Sequence, residues 1–205
     1  MKIITISREF GSGGRELGKR LADVLGWDYY DREIIAAIAE RKGMDESYVE
    51  KALEQRVWQG MSLTFRGSFS MGQQPMQTGL LLEQKRVVEG IAKVGRDCVI
   101  VGRNADVLLR QYETFNIFVC ADQETKVRRC LERAPQGEQL SRREIEKKMK
   151  GIDKSRAQTR EIIAGGKWGL RSSYHLTVNT TGWDIKRLVP AVAEFARCWF
   201  GRDEK

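Results

Sequence analysis

The chain has 205 residues, with 36 lysines and arginines against 28 aspartates and glutamates, a net charge of +8; that length fits one domain with one sizeable core. A content of 41% hydrophobic and 31% charged residues excludes a disordered polymer, and no run approaches the roughly 20 apolar residues of a membrane span. The excess charge attracts any polyanion, whether nucleotide, nucleic acid or acidic membrane surface, but its spread along the chain, densest at 126–133 and 142–160, disfavours a nucleic-acid arm.

Residues 1–7 form a β-branched run that ends in a glycine cluster, as a buried first strand does. Leu17, Leu21, Val24 and Leu25 then make one apolar helical stripe that stops at Gly26. Trp27 to Tyr30 reads as a second short strand, and Asp31 as the N-cap of a helix carrying Ile34, Ile35 and Ile38. A further helix is expected over 46–58. Residues 60–79 are rich in glycine, serine, glutamine and methionine without periodicity, which predicts a flexible flap. The helical pattern returns from Leu80 to about Val94. Strands follow at Cys98 to Val101, Phe115 to Cys120 and Leu176 to Val178, each with a helical segment after it. Five strands alternating with helices predict an α/β three-layer fold, a mainly parallel sheet with helices on both faces. The basic segment from Arg133, with the helical stretch to about residue 160, predicts a small helical lid.

Cys98, Cys120, Cys130 and Cys198 form no CxxC pair, so neither a zinc ribbon nor a disulfide framework is indicated. With one histidine, His175, no Ser-His-Asp triad or histidine metal centre can be assembled, and a structural role is expected for it. No metal held by protein ligands alone is expected. Without an export signal the cytoplasm is the default location.

Chemistry concentrates in Ser7-Arg8-Glu9-Phe10-Gly11-Ser12-Gly13-Gly14-Arg15-Glu16, between the first strand and first helix. Glycine-freed N–H groups and a helix N-terminus converge on an anion at such a turn. The GxxxxGK[ST] pattern fits in two registers, neither complete. The later one ends at Gly18-Lys19 but places Arg20 at the hydroxyl position and Lys19 a full turn inside the helix. The earlier one ends at Gly14-Arg15-Glu16: glycine replaces the lysine, Arg15 follows, and Glu16 replaces the hydroxyl residue. Geometry favours the earlier register, with Arg8, Gly11, Ser12, Gly13, Gly14, Arg15 and Glu16 as phosphate-binding candidates. Arg15 then supplies the missing charge, and Glu16 either meets magnesium through water or caps the helix. A tight turn with no ligand is the competing reading.

The segments ITISREFGSGGRELGKRLADVLGWDYYDREII, CVIVGRNADVLL, FNIFVCADQETKVRRCLER, IDKSRAQTREIIAGGKWG and SYHLTVNTTGWDI, in that order, resemble the cytidylate kinase-like family. The resemblance implies a P-loop NTPase-like fold and phosphoryl transfer from ATP, with Mg2+ brought by the nucleotide, to a nucleotide acceptor. It implies that Arg103, after a strand end in Gly102-Arg103-Asn104, meets the acceptor phosphate and that Asp31 faces the acceptor, while Asp106, in the same family-like run, is either a polar acceptor-site residue or a helix cap. It also implies that Arg128, Arg129, Arg156 and Arg160 resemble lid arginines, the last two sharing one helical face at i, i+4. Trp168 reads as a packing residue near the site. The lysine and hydroxyl departures, with Thr159 and Ile162 where tyrosines are expected, leave turnover and acceptor choice open. A non-catalytic nucleotide sensor with a degraded loop is the alternative, and binding to nucleic acid is the weaker third.

Overall fold

The computed structural model describes residues 1–55, 74–134 and 141–202. Five strands, β1 (Ile3–Arg8), β2 (Asp28–Tyr30), β3 (Cys98–Val101), β4 (Thr114–Cys120) and β5 (Leu176–Asn179), form one sheet in the order β2-β3-β1-β4-β5. Every neighbouring pair is parallel, so β1 sits centrally with Ile3 opposite both Cys98 and Thr114.

The helices are α1 (Gly14–Leu25), α2 (Arg32–Lys42), α3 (Glu46–Gln55), α4 (Gln74–Lys93), the single turn α5 (Ala105–Leu108), α6 (Gln123–Glu132), α7 (Arg142–Ala164) and α8 (Ile185–Phe200). β1 is buried along its whole length, and its alternating side chains feed two cores. Ile4 and Ile6 join Val99, Val101, Ile117 and the inner faces of α1 and α8. Ile3, on the other face, joins Cys98, Ile100 and the apolar faces of α2, α3 and α4. The molecule is therefore layered as helix, sheet and helix, the P-loop NTPase-like arrangement expected. Gly18 lets α1 lie close on the sheet, since a Cβ there would stand 2.7 Å from Val101 Cγ2 and 3.0 Å from Ile6 Cδ1.

Two readings differ from expectation, and a third is met as far as the described residues go. α4 begins at Gln74, so residues 74–79 of the expected flap are helical, and 60–73 lie outside the described residues. The reason is that Gln74 to Gly79 carries no apolar stripe of its own, so the sequence periodicity begins only at Leu80. Asp31 stands at the N-cap position of α2 but makes no capping bond, because its carboxylate is turned towards arginines, described below. α3 runs to Gln55, with 56–58 outside the described residues.

Of the expected lid, residues 135–140 lie outside the described residues. From Ser141, whose hydroxyl caps a box with Glu144, the chain is one continuous helix to Ala164. Ile145 and Met149 of α7 pack with Val127 of α6 and with Phe10. Among the described residues no helix is long and apolar enough to cross a membrane.

Candidate functional site

The glycine loop leaves β1 at the C-terminal edge of the sheet, where ligands of open α/β sheets lie. Gly11 and Gly13 adopt φ of 77° and 84°, in the left-handed region that glycine tolerates. Close packing adds a second constraint: a Cβ on Gly11 would sit 3.0 Å from the Lys126 carbonyl oxygen, and one on Gly13 2.6 Å from Ile185 Cδ1. Helix α1 begins at Gly14. The later register of the motif is thereby set aside, since Lys19 lies within α1 and pairs with Asp23 at 2.7 Å, while Arg20 pairs with Glu16 at 2.9 Å.

Beneath the loop is a brace of buried hydrogen bonds. Arg129 Nη1 donates to the Ser12 carbonyl at 3.0 Å and to Thr180 Oγ1 at 2.8 Å, and Nη2 donates to the carbonyls of Thr180 and Trp183 at 3.1 and 2.9 Å. Thr180 Oγ1 itself donates to the Ser12 carbonyl at 2.7 Å. The Ser12 hydroxyl turns inward onto the Glu9 carbonyl at 2.8 Å, and Lys126 Nζ holds Glu9 at 2.8 Å. Burial and the neighbouring charges of Arg133 and Arg128 lower the pKa of Arg129. The lid role expected of Arg129 is corrected here: its fork is engaged by carbonyls of the loop and the turn before α8. Arg128 points elsewhere, pairing with Glu132 at 3.8 Å.

Above the loop, arginines and carboxylates interleave. Arg15 Nε lies 2.5 Å from Asp31 Oδ2, and Arg8 Nη2 lies 3.9 Å from Asp31 Oδ1. Asp31 and Arg8 are buried, while Arg15 is about half exposed. Glu16 is tied to Arg133 at 2.5 Å, which fastens the start of the expected lid to the first turn of α1; its carboxylate makes no helix cap. Arg15, Glu16, Asp31 and Arg133 border an open depression of about 600 Å³.

The second concavity is a narrow cleft of about 50 Å³ that brings together Arg8, Arg103, Arg156, Gln84, Thr159 and Trp168. Arg103 is buried at the end of β3, with φ of 56°, and its carbonyl accepts from Gln84 Nε2 at 3.0 Å. Arg156 Nη1 donates to the Arg8 carbonyl at 3.0 Å and to Asp153 Oδ1 at 3.1 Å. Asp153 also accepts the Phe10 N–H at 2.8 Å; burial raises its pKa, opposed by Arg156. Trp168 packs edge-on against Phe118, the packing role expected.

Arg156 and Arg160 share a helical face, yet they do not converge on one point. Arg160 Nη1 donates to Asp106 Oδ2 at 2.5 Å in a buried pair, so each is the other's counter-ion and positions the segment after β3. The other carboxylate oxygen, Asp106 Oδ1, is buried without a hydrogen-bond partner among the described residues, as is Asp31 Oδ1.

Arg15 and Arg103 thus stand at the same sheet edge, linked through Asp31, Arg8 and Gly102. Thr180, Lys126, Asp153 and Gln84 were missed from sequence because each acts on the backbone or on a carboxylate of a segment remote in the chain. The ADQET stretch carried one usable signal: Asp122 caps α6 through the Thr125 N–H at 2.7 Å, which aims the faces of Lys126 and Arg129.

Solved structures share this architecture. An uncharacterized protein from Eubacterium ventriosum aligns over 96% of this chain and 99% of its own at 21% identity, with a TM-score of 0.69. Shikimate kinase from Bacteroides thetaiotaomicron covers 96% of this chain and 98% of its own at 17% identity, TM-score 0.57. Shikimate kinase from Acinetobacter baumannii, solved with shikimate, covers 100% of this chain and 96% of its own at 13% identity, TM-score 0.57. At these identities the likeness concerns the fold. No curated protein sequence matches the chain. The model of the cytidylate kinase-like family matches residues 3–182, which include the loop, the second strand's Asp31, the Gly102-Arg103-Asn104 turn and the arginines of α7, and the chain belongs to that family.

Proposed function

We propose that the protein is an ATP-dependent phosphotransferase that acts on a nucleotide or a similar small phosphate acceptor. The single observation behind this reading is a glycine loop, opening a helix at the end of the central strand, with Arg15 bordering one depression and Arg8, Arg103 and Arg156, from three segments of the chain, gathered in a second. Such chemistry needs oriented donors and positive charge around the transferring phosphoryl more than covalent work by side chains. The loop N–H groups from Gly11 to Arg15 receive the donor phosphates, and Arg15 leaves Asp31 to join them. Arg103, with Asp31 and Asp106, receives the acceptor, whose donor groups suit the two buried carboxylate oxygens that make no hydrogen bond among the described residues. Arg156 neutralises charge between the two halves. Magnesium brought with the nucleotide would screen the phosphate oxygens, and Glu16 is the loop residue that would hold it, through water.

The test follows phosphoryl transfer from MgATP across a panel of nucleoside monophosphates and small phosphate or hydroxyl acceptors. Product with at least one acceptor is the expected result. Absence of product with all of them, under conditions where ATP binds, sinks the catalytic reading. It would favour the alternative of a nucleotide sensor, for which the observation is that the loop lacks both the lysine and the hydroxyl and that Arg15 already has Asp31 as counter-ion.

A further inference from the structure

The missing loop lysine has a structural explanation in the residue six places before it. In the GxxxxGK[ST] pattern the first position is glycine and the seventh lysine; in the register fixed by the start of α1 these are Arg8 and Gly14. The two positions face each other. A Cβ added to Gly14 would stand 2.5 Å from Arg8 Cβ, closer than real Cβ atoms come, and 3.0 Å from Arg8 Cγ. One side chain fits in that space, supplied either by position 14 or by position 8. Here position 8 supplies it.

The path of Arg8 continues past the loop. Its guanidinium lies over Gly102 at the end of β3, where an added Cβ would come within 2.7 Å of Cζ, and Gly102 has φ of 76°. Two bare backbone positions, Gly14 and Gly102, thus frame one buried arginine. The head group lies 3.9 Å from Asp31 and borders the cleft shared with Arg103 and Arg156. It stands between the loop and that cleft, where a phosphoryl group would pass from one to the other.

We propose that the loop cation is transposed: Arg8, rising from the first position of the motif, performs the phosphate-binding duty that lysine performs from the seventh, and Gly14 is bare to admit it. This rests on the phosphotransferase reading above. A guanidinium in that place offers a rigid fork to two phosphate oxygens, where an ammonium offers a point charge.

The test is a set of variants of the full chain, each followed by calorimetric titration with MgATP, by thermal unfolding and by the acceptor-panel assay. Arg8→Ala is expected to weaken MgATP at least about tenfold and to abolish transfer. Gly14→Ala is expected to lower the melting temperature, and adding Arg8→Gly to it to restore that temperature but not the affinity. The double variant Arg8→Gly/Gly14→Lys, which rebuilds the ordinary motif, is expected to recover both. Wild-type affinity in Arg8→Ala overturns the proposal, whatever the unfolding data give. So does a Gly14→Ala variant as stable as the parent, or a rebuilt motif that folds and does not bind. A parent protein that binds no MgATP removes the phosphotransferase reading itself, which is a different result from a parent that binds and an Arg8→Ala variant that binds equally well.

Discussion

Arg129 shows how a charged side chain beside a glycine loop can serve the backbone. Its four hydrogen bonds run to Ser12, Thr180 and Trp183, and three of the acceptors are main-chain carbonyls. Truncation would leave those carbonyls buried and under-satisfied, each at a cost on the order of 1–3 kcal/mol before relaxation. Arg129→Ala is therefore expected to lose about 3 kcal/mol in urea unfolding, and Arg129→Lys to rescue little, because one ammonium cannot span the forked set. Wild-type stability in both variants would mean that the brace carries no load. The sequence showed a cation at 129 in a family-like run; it did not show which way α6 turns it.

At the scale of elements, the close approach of α1 to the sheet positions the loop. Gly18 permits it, with Val101 and Ile6 on the facing strands. Gly18→Val forces the helix outward or the strands to shift, and overpacking of this kind costs about 1–3 kcal/mol. The expected outcome is a lower urea midpoint, together with weaker nucleotide binding as the loop moves with its helix; unchanged midpoint and affinity would refute that mechanical link. Strands and helices were legible from periodicity because the stripes are continuous, as at Leu17 and Leu21 of α1. The first turn of α4 was not, since Gln74 to Gly79 carries no apolar stripe that periodicity could read. Asp31 was legible as a helix start by position, but two arginines from other segments outcompete the local cap for its carboxylate.

For the whole molecule, the response of stability to pH near neutrality depends on His175, the chain's only histidine and the side-chain type that titrates there. Its ring stacks on Phe115 at 5.9 Å and lies against Trp199, and Nδ1 accepts the Asn116 N–H at 3.0 Å. Partial desolvation of the otherwise exposed ring, with a contribution from Arg202, lowers its pKa below the ordinary 6.5. The folded state thus binds fewer protons than the unfolded state as pH falls through that value, so stability is full above about 6.5 and declines below it. Unfolding free energies measured from pH 7.5 to 5 are expected to fall in the parent more steeply than in His175→Gln. Parallel curves would show that the ring is not held neutral. The same cluster ties β4, β5 and α8 together at the sheet edge remote from β2, so its protonation acts on folding rather than on the arginine-lined cleft.

Alternation, glycine punctuation and the order of segments determined the layered parallel sheet, the place of the glycine turn and the family, because these are local or sequential properties. Tertiary structure alone decided the allegiance of the arginines: Arg129 to carbonyls, Arg160 to Asp106, Arg15 to Asp31, and Arg8 to the space left by Gly14 and Gly102. Each choice is a competition among partners separated by up to a hundred residues or more in the chain, settled by burial, since a guanidinium removed from water must find its acceptors wherever the fold has put them.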